Sequence, residues 1–435
     1  VYVYNLKTKT AVNLTKNYND PYAISDNAAY SITIDKEDGI WIGTYFGGIN
    51  YHQKQYTQFK KYFPQKGQNS ISGSAVREIH KDSQGDLWIG TEDAGINRFN
   101  LKTKKFTSYL PNGTKNGVSY YNIHALMPRK DKIWVGTFEH GLDVLDRNSG
   151  RVLKHYSAND GSGLHSNFIF SFYEMKNNDL IVVTTSGLYR YNEQADNFEI
   201  LKFFPETFHY TNFKEDSDGN LWAGSYRDGL LFYNPKTKKK EVFTYDYKNP
   251  NGISNNTMNA IFEDSSNNLW IATENGLNLV DRKTHAFKKF TTKNGMPSNV
   301  FYSILEDDSK NLWLTTSKGL VKFGPDHKTI KIFTTANGLL SDQFNYNSAF
   351  KDANGDMYFG NLNGMISFNP KHFTKNKYTP FIYITNLQIN NKDIEVNSPD
   401  SPIEQSISFL DELELNNSQS SFNLEFASLN YTAPE

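Results

Sequence analysis

Cysteine is absent from this 435-residue chain, and methionine occurs only six times. Without thiols there is no disulfide frame, no thiolate metal site and no cysteine nucleophile. That absence suits an oxidising compartment, where stray thiols mispair, and fits a cytoplasmic protein too. No apolar run approaches the roughly 20 residues that span a bilayer. Charge of one sign is not in excess either: 46 Lys and Arg face 47 Asp and Glu, for a net charge of -1. No global electrostatic footprint therefore points to nucleic acid or a membrane surface. Zinc helix motifs, nucleophile elbows and phosphate loops are missing as well. Tryptophan is scarce, with six copies, and their placement is the first positive signal.

Every tryptophan sits second in one short motif. It reads Ile40-Trp41-Ile42-Gly43-Thr44, then Leu87-Trp88-Ile89-Gly90-Thr91, and recurs around Trp134, Trp222, Trp270 and Trp313. Weaker copies are Leu180 to Thr184 and Met357 to Asn361. From position 41 to 88, 134, 181, 222, 270, 313 and 358 the steps are 47, 46, 47, 41, 48, 43 and 45 residues. A period in the forties centred on a Trp-bearing strand predicts an all-β chain, a β-propeller of four-stranded blades with one blade per repeat. Asp stands six residues before the motif aromatic in most copies (Asp35, Asp82, Asp216, Asp264, Asp307, Asp352), and Gly closes the following turn in all of them, from Gly48 to Gly364. These are hairpin signals.

Residues 1–15 match only the last two strands of a blade, so the chain reads as a piece of something longer. The repeat region is assigned to 1–375. Eight motif copies fit either seven blades plus a leftover from a preceding ring, the preferred division, or one eight-bladed ring. Residues 376–435 break the period. Thr379 to Leu387 is rich in β-branched and aromatic residues, Leu413 and Leu415 alternate with acids, and Phe422, Leu424 and Phe426 alternate with polar residues. This predicts the beginning of an immunoglobulin-like β-sandwich. The polar stretch from Pro370 to Thr379 reads as a hinge.

At Ser74 to Ile96 and Ser254 to Leu277 the sequence resembles the two-component regulator propeller repeat. The tail from Leu415 to Tyr431 resembles the start of the triple-tyrosine domain (Y_Y_Y) that follows such propellers. Their pairing resembles the sensor region of hybrid two-component regulators of the Bacteroidetes type. The resemblance implies a periplasmic sensor part of an inner-membrane receptor that detects oligosaccharides released from polysaccharides. A membrane helix, a histidine kinase and a DNA-binding module would follow elsewhere. It implies no catalysis by this chain. The expected partners are an oligosaccharide and a second protomer, as a homodimer through the receptor ectodomain, with no nucleic-acid or membrane contact by the fragment.

Binding residues are expected on the face carrying the loops into the first strand and from the second to the third, since rigid sheets commonly present function on variable loops. The candidates are Tyr45, Phe46, Tyr121, Phe138, Glu139, His140, His165, Tyr226, Arg227, Phe344 and Tyr346. Aromatic planes beside Asn, His and Arg suit sugar rings, whose C–H faces stack while their hydroxyls need directional partners. No cofactor is expected. Asp216-Ser217-Asp218-Gly219-Asn220 resembles the opening of a calcium loop, but Arg227 holds the twelfth place, where a bidentate Glu is required, so no metal is expected. The competing readings are a propeller glycoside hydrolase or polysaccharide lyase, for which Glu139, His140 and Asp228 are the candidates, and a protein-docking propeller.

Overall fold

The computed structural model describes residues 1–53, 59–374, 379–399 and 401–428. The chain divides into two compact units, Thr57–Phe373, and Val1–Tyr56 together with Thr374–Glu435.

The first of these units is a ring of seven antiparallel sheets. Six blades take four consecutive strands each, beginning with Val76–Lys81, Leu87–Thr91, Ile96–Asn100 and Lys105–Tyr109. The seventh pairs Phe344–Lys351, Met357–Asn361 and Gly364–Phe368 with Lys60–Tyr62, which comes from before the first blade. The outer strand of the last blade is thus supplied by the opposite end of the ring, and the innermost strands of blades seven and one lie side by side. Closure of this kind leaves no open edge between first and last blade. Seven of the eight motif copies belong to the ring. The copy at Trp41 belongs to the other unit, so of the two divisions of the eight copies the seven-bladed ring with one copy outside it is the one observed, within the 1–375 expected as the repeat region.

Each joint between blades is a separate apolar cluster organised by the motif residue. Trp88 packs against Ile123, Ile133, Val135 and Leu145 of the next blade. Trp270 meets Phe301, Leu312 and Leu314, and Trp313 meets Phe344, Phe359 and Phe368. Tyr358 takes this role at the last joint, against Val76, Leu87 and Phe99 of blade one. Where Ile181 replaces Trp, Phe204 and Phe213 supply the missing bulk.

The repeated Asp does more than turn the chain. Asp82, Asp216, Asp264 and Asp307 accept the indole N–H of Trp88, Trp222, Trp270 and Trp313 at 2.8–2.9 Å. A buried indole nitrogen needs such an acceptor. In blade two Pro128 occupies the Asp position, and the hairpin is closed instead by Arg129 pairing with Lys132, with Lys130 in the left-handed region at φ 57°.

Two glycine positions have steric reasons, the first of them filled by Gly in four of the seven blades. A Cβ on Gly90, Gly136, Gly224 or Gly360 would lie 2.6–2.8 Å from the first strand of the next blade. A Cβ on Gly229, at φ +89°, would lie 2.2 Å from Phe243 O in the fourth strand of its own blade. Beside it the Ser225 hydroxyl donates to Gly229 O at 2.8 Å, and Thr91, Thr137, Thr273 and Thr316 repeat this bond.

The other unit contains the pair Tyr2–Asn5 and Thr10–Asn13, the three-stranded sheet Ala29–Ile34, Ile40–Thr44 and Ile49–His52, and a sheet in the order Lys392–Asp393, Ile382–Ile389, Phe422–Ser428. Trp41 repeats the indole bond to Asp35 at 2.7 Å. Leu387, Ile389, Ile403 and Ile407 form a small core, with Leu413 and Leu415 half-buried against it. Leu413 and Leu415 alternate in burial as expected but lie outside any strand. Residues 375–378 of the expected hinge, and Tyr431 of the triple-tyrosine resemblance, lie outside the described residues.

Candidate ligand site at the mouth of the central channel

The innermost strands line the ring's channel, and each carries an irregularity at the same place. Pairing with the second strand slips between Val76 and Glu78, Ile123 and Ala125, Ile169 and Ser171, Tyr210 and Asn212, and Met258 and Ala260. A bulge of this kind inserts one residue and re-aims its side chain. The inserted residues are Arg77, His124, Phe170, Thr211 and Asn259, joined in blade six by Tyr302; the first five line one cavity of about 280 Å³. Blade seven has the largest slip, from Phe344 to Ala349 against Asn361 to Phe359, and brings in Tyr346. Phe168, His209, Tyr226 and Thr257 complete the rim from the loops. The backbone ties those loops together: Tyr226 N donates to His209 O at 2.8 Å, and Phe138 N to Asn122 O at 3.0 Å.

Arg77 is the centre of this cavity's chemistry. It is 4% exposed, and its Nη1 donates to Glu92 Oε1 at 3.2 Å. The guanidinium carbon lies 5.1 Å from the ring centres of both Phe170 and Tyr346, close enough for cation–π attraction. Its Nε, however, has no hydrogen-bond partner, and neither do His124 Nδ1 and His209 Nε2. Leaving a buried polar atom unmatched costs about 1–3 kcal/mol, so these three around one cavity are donors and acceptors open to a ligand or to water. Burial and the adjacent Arg77 charge push the His124 imidazole down to about 2. Burial, reinforced by Arg227, lowers His209 as well and outweighs the opposing charge of Asp228. Both rings are therefore neutral near pH 7, with one nitrogen free to donate and the other to accept. Glu274 accepts from Asn259 Nδ2 at 2.8 Å and from the Tyr346 hydroxyl at 3.2 Å. Burial and that carboxylate raise Tyr346.

A second hollow of about 200 Å³ on the same inner strands is lined by Glu78, His80, Asn212 and Ser303. Burial raises Glu78 despite its 3.0 Å contact to His80 Nε2.

The loop residues singled out in the sequence are distributed unevenly around the mouth. Tyr226 and Tyr346 line the cavity. Tyr226 is 44% exposed and tilted over His209 with ring centres 5.3 Å apart, and the Arg227 guanidinium carbon lies 5.1 Å from the Tyr226 ring centre. Phe138 stands one layer back, 4.8 Å from Phe168 and 5.6 Å from His124. His140 stacks on Tyr120 at 3.8 Å and donates from Nδ1 to Phe138 O, while Tyr121 tilts on Tyr120 at 4.3 Å. Glu139 is exposed at φ 59°. His165 is an exposed edge on Tyr189. Phe344 is 1% exposed inside the joint between blades six and seven and is a core residue. Tyr45 and Phe46 lie in the other unit, as an exposed pair with ring centres 4.3 Å apart. The residues not anticipated are Arg77, His124, Phe170, His209, Thr211 and Asn259. All but His209, which stands in the loop before Tyr210, occupy the second place of a first strand, and because the residue there differs in each blade no sequence signal picks them out.

Among the described residues no group of three or more His, Cys, Asp or Glu converges as a metal site. The calcium-like turn is consumed internally: the Asp216 carboxylate takes Trp222 and Asn220, and Asp218 pairs with Arg282 at 3.0 Å.

Residues 23–46, 70–93, 252–275 and 295–318 match the family model described as two component regulator propeller, so the chain carries these repeats. A protein called histidine kinase P4, from Formosa agariphila, is 27% identical over 302 residues, covering 57% of this chain and 22% of that protein. The extracellular domain of a protein assigned to a hybrid two component system in B. thetaiotaomicron superimposes with a TM-score of 0.77 at 23% identity, covering 100% of this chain and 62% of that one. A second extracellular domain from B. thetaiotaomicron, assigned to a one component system, gives 0.59 at 19% identity over 99% of this chain and 57% of its own. These superpositions establish the propeller fold. The chain spans about a fifth of the kinase and under two thirds of either structure.

Proposed function

We propose that this chain is the ligand-sensing region of a two-component receptor, exposed outside the cytoplasmic membrane, and that it binds an oligosaccharide at the channel mouth without transforming it. The observation that carries the reading is the cavity itself: aromatic walls enclose three buried polar atoms with no partner. Stacking faces and directional donors together are what a sugar ring requires. Propeller repeats named for two component regulators, and the likeness to extracellular domains, support the receptor context and the extracytoplasmic location.

The lining contains no carboxylate, which speaks against a two-acid glycosidase. One feature favours a second reading: neutral His209 beside Tyr226 could serve as an eliminating pair. Incubation with defined plant and host oligosaccharides, read by thermal shift and by product analysis, separates the two. Retained, intact sugar with a raised melting temperature supports a sensor; new unsaturated products would replace it with a lyase.

Signal transfer is proposed to be a rigid-body rearrangement, of the ring against the C-terminal sheet or against a second protomer of a homodimer, because interlocked blades resist internal change. A tenfold difference in ligand affinity between two arrangements supplies about 1.4 kcal/mol. Spin labels near Lys104 and Asn417 in the intact ectodomain report it. An unchanged distance distribution and oligomeric state at saturating ligand would refute this mechanism.

A further inference from the structure

We infer that the channel mouth accepts one uncharged terminal glycosyl residue, presented end-on, and rejects acidic sugars. The inference rests on the oligosaccharide reading above and narrows it in size and charge.

Size comes first. A cavity of about 280 Å³ lies just below the ~300–1,000 Å³ range of ordinary small-molecule sites. It has room for a single ring and not for a run of them, so the remainder of an oligosaccharide has to project out past the half-exposed Tyr226 at the rim.

Charge is the stronger constraint. The buried Arg77 guanidinium is already committed to Glu92, and its π-faces are taken by Phe170 and Tyr346. Glu78, next in the chain, is a second acid within its field. Glu274 adds another carboxylate beside the wall, held by Asn259 and Tyr346. His124 and His209 contribute no positive charge, being held neutral by burial. At the rim, Arg227 is followed by Asp228. An incoming carboxylate or sulfate would therefore lose its water in a cavity whose one buried cation is spoken for, with Glu78, Glu92 and Glu274 close to that cation and Arg227 only at the rim over Tyr226. Desolvating an ion without a free partner costs several kcal/mol. A hydroxyl meets none of this cost. Arg77 Nε can donate to it, and His124 Nδ1 and His209 Nε2 can each donate or accept, which would satisfy all three unpartnered atoms. The apolar face of the same ring has Phe168 and Phe170 to lie on, two rings 5.6 Å apart and inclined by 25°.

The test titrates the whole chain calorimetrically with matched pairs of oligosaccharides. Each neutral probe (cello-, manno- and maltohexaose) is set against the same chain with the C6 hydroxymethyl of its non-reducing terminal residue oxidised to the uronic acid, and oligogalacturonides and a sulfated disaccharide complete the panel. Expected is binding of at least one neutral hexasaccharide, weakened at least tenfold by terminal oxidation and unchanged between 50 mM and 500 mM salt. Tyr226→Ala, at an exposed rim position that leaves the core intact, should weaken the same probe at least fivefold. Equal or tighter binding of the acidic member, or affinity that falls with salt, overturns the inference while leaving a sugar sensor in place. If no probe of either kind binds the folded chain, the oligosaccharide reading fails together with it.

Discussion

Removing the Asp264 carboxylate should destabilise the ring more than any ordinary surface-turn substitution. Four donors converge on it: the Ser266 and Asn268 amides at 2.9 Å, Asn268 Nδ2 at 2.9 Å, and the Trp270 indole at 2.8 Å. Burial alone would raise this carboxyl, but these donors outweigh it and hold it below the ordinary aspartate value. In Asp264→Ala the two turn amides can turn to water. Trp270, 0% exposed in the joint between blades five and six, cannot follow them. Stranding its N–H costs about 1–3 kcal/mol, and each lost bond to a charged group about 1.5–3 kcal/mol before water repays part of it. We expect a net loss of about 4 kcal/mol by equilibrium urea unfolding. Trp270→Phe alone should lose packing and one bond. In the double variant the stranded donor no longer exists, so the two losses should fall short of additivity by about 1–2 kcal/mol. A loss below 0.5 kcal/mol for Asp264→Ala, or strict additivity, would refute the role assigned to the repeated Asp.

Three further outcomes follow from the same geometry. His124 is neutral in the folded ring down to about pH 2 but protonates near 6.5 when unfolded, so its contribution is full above pH 6.5 and lost as pH falls. Between pH 6.5 and 5 the loss is about 2 kcal/mol, and His124→Phe should flatten that part of the urea-midpoint profile relative to the parent. Gly229→Ala forces a Cβ to within 2.2 Å of Phe243 O at φ +89° and should cost at least 2 kcal/mol in the same assay, in line with strain at a left-handed position. Deleting residues 59–63 removes the strand that completes blade seven and exposes its edge; size-exclusion chromatography should then show self-association, whereas a monomer of unchanged melting temperature would contradict closure by that strand.

The fold was legible because its determinants are periodic. Trp88, Gly90, Thr91 and Gly95 each answer one steric or hydrogen-bonding need, and most of those needs recur from blade to blade. Eight copies could not reveal where the ring begins, because closure depends on Lys60–Tyr62, a segment with no motif of its own. The cavity at the channel mouth was only half legible for the opposite reason. Tyr226 stands in a loop of unusual composition and Tyr346 just inside a strand that follows one, but Arg77, His124 and Phe170 lie inside strands, at positions where alternation predicts a side chain facing a neighbour. Only the bulge redirects them, and a bulge leaves no residue signature when its extra member differs in each blade. Phe344 shows the converse error: an aromatic beside a loop, read as exposed, is needed by the Trp313 joint.

The most direct test of the account is a calorimetric titration of three chains with whichever oligosaccharide gives the largest thermal shift: the parent, Tyr226→Ala at the channel mouth, and Lys104→Ala in an outer turn of blade one. Binding that is weakened at least fivefold in Tyr226→Ala and unchanged in Lys104→Ala is the predicted result. Full affinity in Tyr226→Ala, or loss of binding in Lys104→Ala with the fold intact, would place the ligand elsewhere and contradict it.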